Sequence, residues 1–189
     1  MRGSGLGNVT GALLPGHGEG AHEPKSEPSF TRVARLLEAV FEEVLLVGRE
    51  PASAGPGRAV ALPGGPTCPL RSLIAALEAA SSERVIVVTP ELSPPRPDLL
   101  LALTAWPEQE AVMPGDASLD HPYCAIYLRD RVLGIAREQA AKGELSLEVL
   151  HGRIETARVS FGEFGLDDFG SQGPMDAEVS HRSARMEDC

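Results

Sequence analysis

Val85-Ile86-Val87-Val88-Thr89-Pro90-Glu91 runs directly into Leu92-Ser93-Pro94-Pro95-Arg96-Pro97-Asp98-Leu99-Leu100-Leu101-Ala102-Leu103. An unbroken β-branched apolar run reads as a strand buried on both faces, the habit of parallel strands in α/β proteins. Thr89-Pro90 ends the strand. Pro97-Asp98-Leu99 then opens a helix, because proline suits the first helical position and an acidic side chain suits the first turn. Glu91 falls just past the carboxyl end of that strand, at the edge where open α/β sheets bind their ligands. It is either a solvated loop glutamate or a carboxylate placed to hold a divalent metal that carries phosphates.

The sequence on either side repeats the same alternation. Val9 to Leu14 is a short apolar run that stops at Pro15-Gly16, a first strand feeding a glycine-rich loop. Phe30 to Phe41 spaces Val33, Leu36, Leu37, Val40 and Phe41 as a helix does, and Glu43 to Val47 follows as a second strand, closing a βαβ unit. Arg58 to Leu62 is a brief strand within turn-forming sequence. Pro69 to Ala80 is a helix with Leu70, Leu73, Ile74 and Leu77 along one face. Beyond the quoted stretch, strands are expected at Ala111 to Pro114, Tyr123 to Leu128 and Ile154 to Phe161. A helix from Arg131 to Ala141 ends at Gly143, and Ser146 caps a short helix from Leu147 to Leu150. Strand and helix in alternation predict a three-layer α/β/α sandwich around a mainly parallel, mixed sheet, a Rossmann-like architecture. The domain is expected over residues 9–176, with 177–189 a polar tail expected to lack order.

At 189 residues the chain is long enough to bury one real core. Its net charge of −10 argues against nucleic acid or an anionic membrane surface as the main partner. Cys68, Cys124 and Cys189 lack the paired spacing of a zinc site or a disulfide framework and read as reduced thiols. No stretch has the length of a signal peptide or a membrane span, so a cytoplasmic chain is expected.

Pro15-Gly-His-Gly-Glu-Gly-Ala-His-Glu-Pro-Lys25 can aim backbone N–H groups at phosphates through Gly16 and Gly18, with Lys25 supplying positive charge. It lacks the Gly-Lys-Ser/Thr ending of a Walker loop and the dinucleotide fingerprint spacing, and Glu19 and Glu23 oppose an anion. A flexible loop is the equal alternative. His17 and His22 read as solvated loop histidines, His121 precedes a strand, and His151 ends a helix where its charge suits the dipole. No Gly-x-Ser-x-Gly elbow occurs, and Cys124 falls inside a predicted strand, where a thiol is usually an apolar filler.

Together these elements resemble the molybdenum cofactor guanylyltransferase (MobA-like) family of Rossmann-like nucleotidyltransferases. Cys68-Pro-Leu-Arg-Ser-Leu-Ile is similar to that family's Gly-Pro-Leu-Ala-Gly-Ile helix. Val87-Val-Thr-Pro-Glu-Leu-Ser-Pro-Pro-Arg-Pro-Asp-Leu-Leu is similar, without a gap, to its strand, Cys-Asp-Met-Pro turn and Pro-Pro-Asp-Leu helix. His121-Pro-Tyr-Cys-Ala-Ile-Tyr and Lys142-Gly-Glu-Leu-Ser-Leu-Glu-Val-Leu match later segments. The resemblance implies magnesium-dependent transfer of GMP from GTP to molybdopterin with release of pyrophosphate. It places Leu14, Gly16 and Lys25 on the nucleotide, Lys25 as the catalytic cation, and Glu91 on the metal where the family keeps an aspartate. The opening motif's arginine, methionine and aspartate are absent, and Phe169-Gly-Ser-Gln-Gly-Pro-Met-Asp lacks both asparagines of the matching family segment. Two alternatives follow: a divergent transferase, or a catalytically silent domain of the same fold that serves binding or assembly.

Overall fold

The computed structural model describes residues 6–15, 27–48, 57–62, 68–90, 96–107, 109–116, 119–120, 124–160 and 162–164. The expected boundary between domain and tail lies outside them. The elements run β1 (Leu6–Leu13), α1 (Glu27–Val40), β2 (Phe41–Val47), β3 (Arg58–Val60), α2 (Pro69–Ala79), β4 (Arg84–Val88), α3 (Pro97–Ala105), β5 (Ala111–Asp116), β6 (Leu119–Asp120), β7 (Cys124–Leu128), α4 (Arg129–Ala141), α5 (Leu147–Arg153) and β8 (Thr156–Val159). Every strand and helix expected from sequence is present within a few residues. The two-residue β6 is the exception, a hairpin partner of the end of β5 with too little pattern to be read.

The strands follow the order β3-β2-β1-β4-β7-β5, with β8 beside β5 and β6 at its end. β1, β2, β3 and β4 are mutually parallel, β7 is antiparallel to β4 and β5, and β5 and β8 run parallel again. The sheet is therefore mixed, and its architecture is the three-layer sandwich.

β4 shows why its run is apolar on both sides. Val85 and Val87 enter a core with Leu70, Leu73 and Leu77 of α2, Val132 and Ala136 of α4 and Leu150 of α5. Ile86 and Val88 enter the opposite core with Val33 and Leu37 of α1 and Leu99, Leu100 and Leu103 of α3. Alternation sends successive side chains to opposite faces, so a strand covered by helices on both has no solvent side on which to place a polar residue. Gly11, in the middle of β1, answers a tighter constraint, since a Cβ there would lie 2.7 Å from the Phe41 ring.

Polar side chains collect at the two ends of the strands. At the amino end, Glu43 gathers the Thr10 hydroxyl at 2.6 Å, the Ser81 amide at 2.9 Å, the Ser81 hydroxyl at 2.7 Å and the Arg58 guanidinium at 2.8 Å. This joins β1, β2, β3 and the turn after α2 through one carboxylate. Nearby, Arg84 donates to the last carbonyls of α3, Thr104 O at 2.7 Å and Trp106 O at 3.2 Å, where a cation also suits the helix dipole. At the C-terminus of α4, Gly143 takes φ +80°, the left-handed stop expected from sequence.

Burial pushes the Glu43 carboxyl up, yet the donors of Thr10, Ser81 and Arg58 together outweigh it and hold it at about 2, against an ordinary 4.5. A depressed carboxylate contributes stability that is complete above 4.5 and lost as pH falls through about 2. Glu43→Gln is expected to destabilise the chain by about 1–3 kcal/mol at neutral pH. That deficit should shrink as denaturation is repeated at successively lower pH across the same window.

Candidate functional site

β1, β2, β3 and β4 all end on one side of the sheet, and β7 begins there. Leu13 pairs with Val88, and the Leu14 amide donates to Val88 O at 2.9 Å, so Leu14 and Thr89 leave the sheet on adjacent strands about 5 Å apart. Gly48 follows β2 at φ +76°, its amide donating to Val60 O at 2.8 Å. The first turn of α2, beginning at Pro69 after Cys68, reaches the same side. Between α2 and the end of β3 lies a groove of about 390 Å³ lined by Val60, Ala61, Leu62, Ala75, Glu78 and Ala79.

Of the site residues expected from sequence, Leu14 is described. It is 3% exposed and packed in the α2-side core, so its contribution to a ligand would be its backbone and the direction it gives the following chain. Gly16, Gly18, Lys25 and Glu91 lie outside the described residues, as do His17, His22, His121 and Cys189. The fold therefore sets where the segments carrying them begin: one follows β1, the other follows β4, and the two strands are neighbours.

Two side chains that sequence reasoning did not single out stand at this edge. Thr89 is 3% exposed, and its Oγ1 has no hydrogen-bond partner among the described residues. A buried hydroxyl is nearly always satisfied, so an orphan one marks a position where something else belongs. Arg71, in the first turn of α2, makes no ion pair or hydrogen bond among the described residues. The sequence clue for Arg71 was present, a cation where a helix start prefers an anion. The clue for Thr89 was its place in the period-two alternation of β4.

Cys124, at the start of β7, is 4% exposed, and burial pushes its thiol up to about 12. It is a filler, as its strand position implied, and not a nucleophile. Cys68 is fully buried as well, and both are free thiols. His151 lies in the last turn of α5, the helix end expected from sequence. It is buried there with Nε2 2.9 Å from the Tyr127 hydroxyl, on the side of the sheet away from Leu14 and Thr89. Among the described residues no group of three or more His, Cys, Asp or Glu could hold a metal ion. No described helix is long and apolar enough to cross a membrane.

No family model matches the chain, and no curated protein does. Solved structures do. A protein from Aquifex aeolicus superposes with a TM-score of 0.70 at 20% identity, over 86% of this chain and 93% of that one. The molybdopterin-guanine dinucleotide biosynthesis protein A of Archaeoglobus fulgidus gives a TM-score of 0.66 at 14% identity, covering 85% and 87%. A 4-diphosphocytidyl-2C-methyl-D-erythritol synthase from Anaerococcus prevotii gives 0.57 at 14% identity, covering 82% and 87%. The chain has the Rossmann-like α/β fold that these structures share. Identities this low establish the fold and leave the chemistry to the site.

The buried thiols carry a direct test. In the native chain, iodoacetamide at mildly alkaline pH should leave Cys68 and Cys124 unmodified, while both alkylate in denaturant. Peptide mapping by mass spectrometry reads the difference, and rapid native labelling of Cys124 would contradict its assignment as a filler.

Proposed function

We propose that this chain is a divergent nucleotidyltransferase that binds a nucleoside triphosphate at the carboxyl ends of β1 and β4. GTP is the favoured nucleotide and molybdopterin the favoured acceptor. The observation that carries the reading is the adjacency of β1 and β4. The glycine loop that begins after Leu14 and the turn that begins after Thr89 start one strand spacing apart, the arrangement needed for phosphate donors and a metal carboxylate to serve one triphosphate.

In this reading the amides of Gly16 and Gly18 and the Lys25 ammonium take the phosphate oxygens, and Glu91 holds magnesium. The donor chemistry fits a hard cation: the neighbouring orphan polar atom is an oxygen, Thr89 Oγ1, and the Cys124 thiol is held neutral. One protein carboxylate is enough for magnesium, which fills its remaining positions with phosphate oxygens and water. When bound, magnesium neutralises charge on the triphosphate. An acceptor phosphate oxygen forms the new bond to the α-phosphorus, the bond from that phosphorus to the α–β bridging oxygen breaks, and pyrophosphate leaves with that oxygen. Positioning by the loop and charge balance by Lys25 are the work left to the protein, and no covalent protein nucleophile is required.

Isothermal titration with GTP, CTP and ATP, each with and without magnesium, tests this. Magnesium-dependent heat with GTP is expected, lost in Glu91→Ala and weakened about tenfold or more in Lys25→Ala. Absence of heat with every nucleotide at millimolar concentration would overturn it in favour of a catalytically silent domain of this fold acting as a binding or assembly partner.

A further inference from the structure

We infer that the first turn of α2, with Arg71 on it and the Thr89 hydroxyl beside it, is a second phosphate-binding subsite. It takes a phosphate monoester or an oligophosphate. The inference goes beyond the functional reading above, which does not use Arg71 and takes Thr89 only as a neighbouring oxygen.

Three independent features meet there. The N-terminus of this eleven-residue helix is left open: Cys68 provides no side-chain cap, Pro69 occupies the first position, and the first turn holds no acidic residue. The starts of α3, α4 and α5 differ in that each holds an acidic residue in the first turn, Asp98, Asp130 and Glu148. Ser146 caps α5 by accepting from the Val149 amide, and Asp98 accepts from the Leu99 amide at 2.9 Å at the start of α3. The amides of Leu70 and Arg71 thus remain as donors with the positive end of the helix dipole behind them.

Arg71 itself is a half-buried cation placed against that dipole, with no carboxylate on it among the described residues. Helical side chains lean toward the helix N-terminus, so its guanidinium is carried toward the side where β1 and β4 end. The nearest acid along the same stripe of α2, Glu78, lies two turns further on and is paired with Arg137 at 2.8 Å.

Thr89 continues the alternation of Val85 and Val87, which pack against Leu70 and Leu73 of α2, and so falls on the α2 face at the end where that helix begins. Its hydroxyl is sealed from bulk water and unpartnered among the described residues. Two backbone amides, a guanidinium fork and a hydroxyl are all able to donate. An anion with several oxygens in a tetrahedral array satisfies such a set, and phosphate is that anion.

The phosphate could belong to the nucleotide or to the acceptor, and the same titrations on the full chain separate them. The probes are tripolyphosphate, inorganic phosphate and GTP, and the variants are Arg71→Gln, Thr89→Val and Lys25→Ala. Arg71→Gln is expected to weaken at least one phosphate probe about 10- to 100-fold. Thr89→Val should weaken the same probe several-fold while leaving the melting temperature unchanged or higher, because it removes an unpaired buried hydroxyl. A merely structural threonine would instead lower the melting temperature. Parallel losses for tripolyphosphate and GTP assign the subsite to the nucleotide; a loss for inorganic phosphate with GTP binding intact assigns it to the acceptor. Wild-type affinity for every probe in Arg71→Gln, or no binding of any phosphate probe by the wild type, overturns the subsite. GTP binding that survives in Arg71→Gln with all other probes unchanged sinks this inference alone. Phosphate binding by the wild type with no response to any nucleotide sinks the transferase reading alone.

Discussion

Burial of β1 and β4 on both faces is the constraint from which the rest of the molecule follows. With α2, α4 and α5 packed on one side and α1 and α3 on the other, the middle of these strands admits apolar or very small side chains, down to the glycine that makes room for Phe41. Apart from Thr10, whose buried hydroxyl donates to Glu43, polar groups gather at the strand ends, and the two ends have been treated oppositely. At the amino end, Glu43 is met by four donors and Arg84 closes the end of α3, so charge is consumed in holding strands and helices together. At the carboxyl end, a hydroxyl and a guanidinium stand without protein partners among the described residues, and a helix start is left uncapped. One end is finished as structure, while the other leaves donors without partners among the described residues.

Much of this architecture was legible before any coordinates. The Val85 to Val88 run, the helical spacing of Leu70, Leu73 and Leu77 and the Gly143 stop are local patterns, and local patterns survive folding because each reports the face its own element buries. The strand order was not legible. That β4 lies against β1, and that β7 reverses direction beside it, depends on pairings between residues dozens of positions apart that leave no periodic trace. The Glu43 cluster was invisible for the same reason, since its donors come from Thr10, Arg58 and Ser81. His151 shows the opposite failure: its place at a helix end was read correctly, but its burial against Tyr127 is decided by a strand 24 residues earlier.

The candidate site divides along the same line. Glu91 and the loop from Gly16 to Lys25 were picked out by kind of residue, position after a strand and family resemblance, and the fold contributes the neighbourhood of their starting points. Thr89 was in plain view within the most telling stretch of the sequence, yet nothing in the chain announces that a threonine will be sealed from water without a partner. Arg71 broke a rule of helix starts. Violations of local rules tend to fall where function overrides stability, which is the ground on which Arg71 enters the proposed subsite.

The position of β1 between β2 and β4 also bears on when the site can exist. β2 follows β1 after a single helix, so that pairing closes early in synthesis; β4 emerges about seventy residues behind β1 and completes the other side only later. A nascent chain ending anywhere before Val88 carries the glycine loop on a strand with one open flank and no second wall beside it. On the proposed reading, the ligand site thus forms in one step, when β4 docks, and a truncated product lacking that strand has no partial version of it.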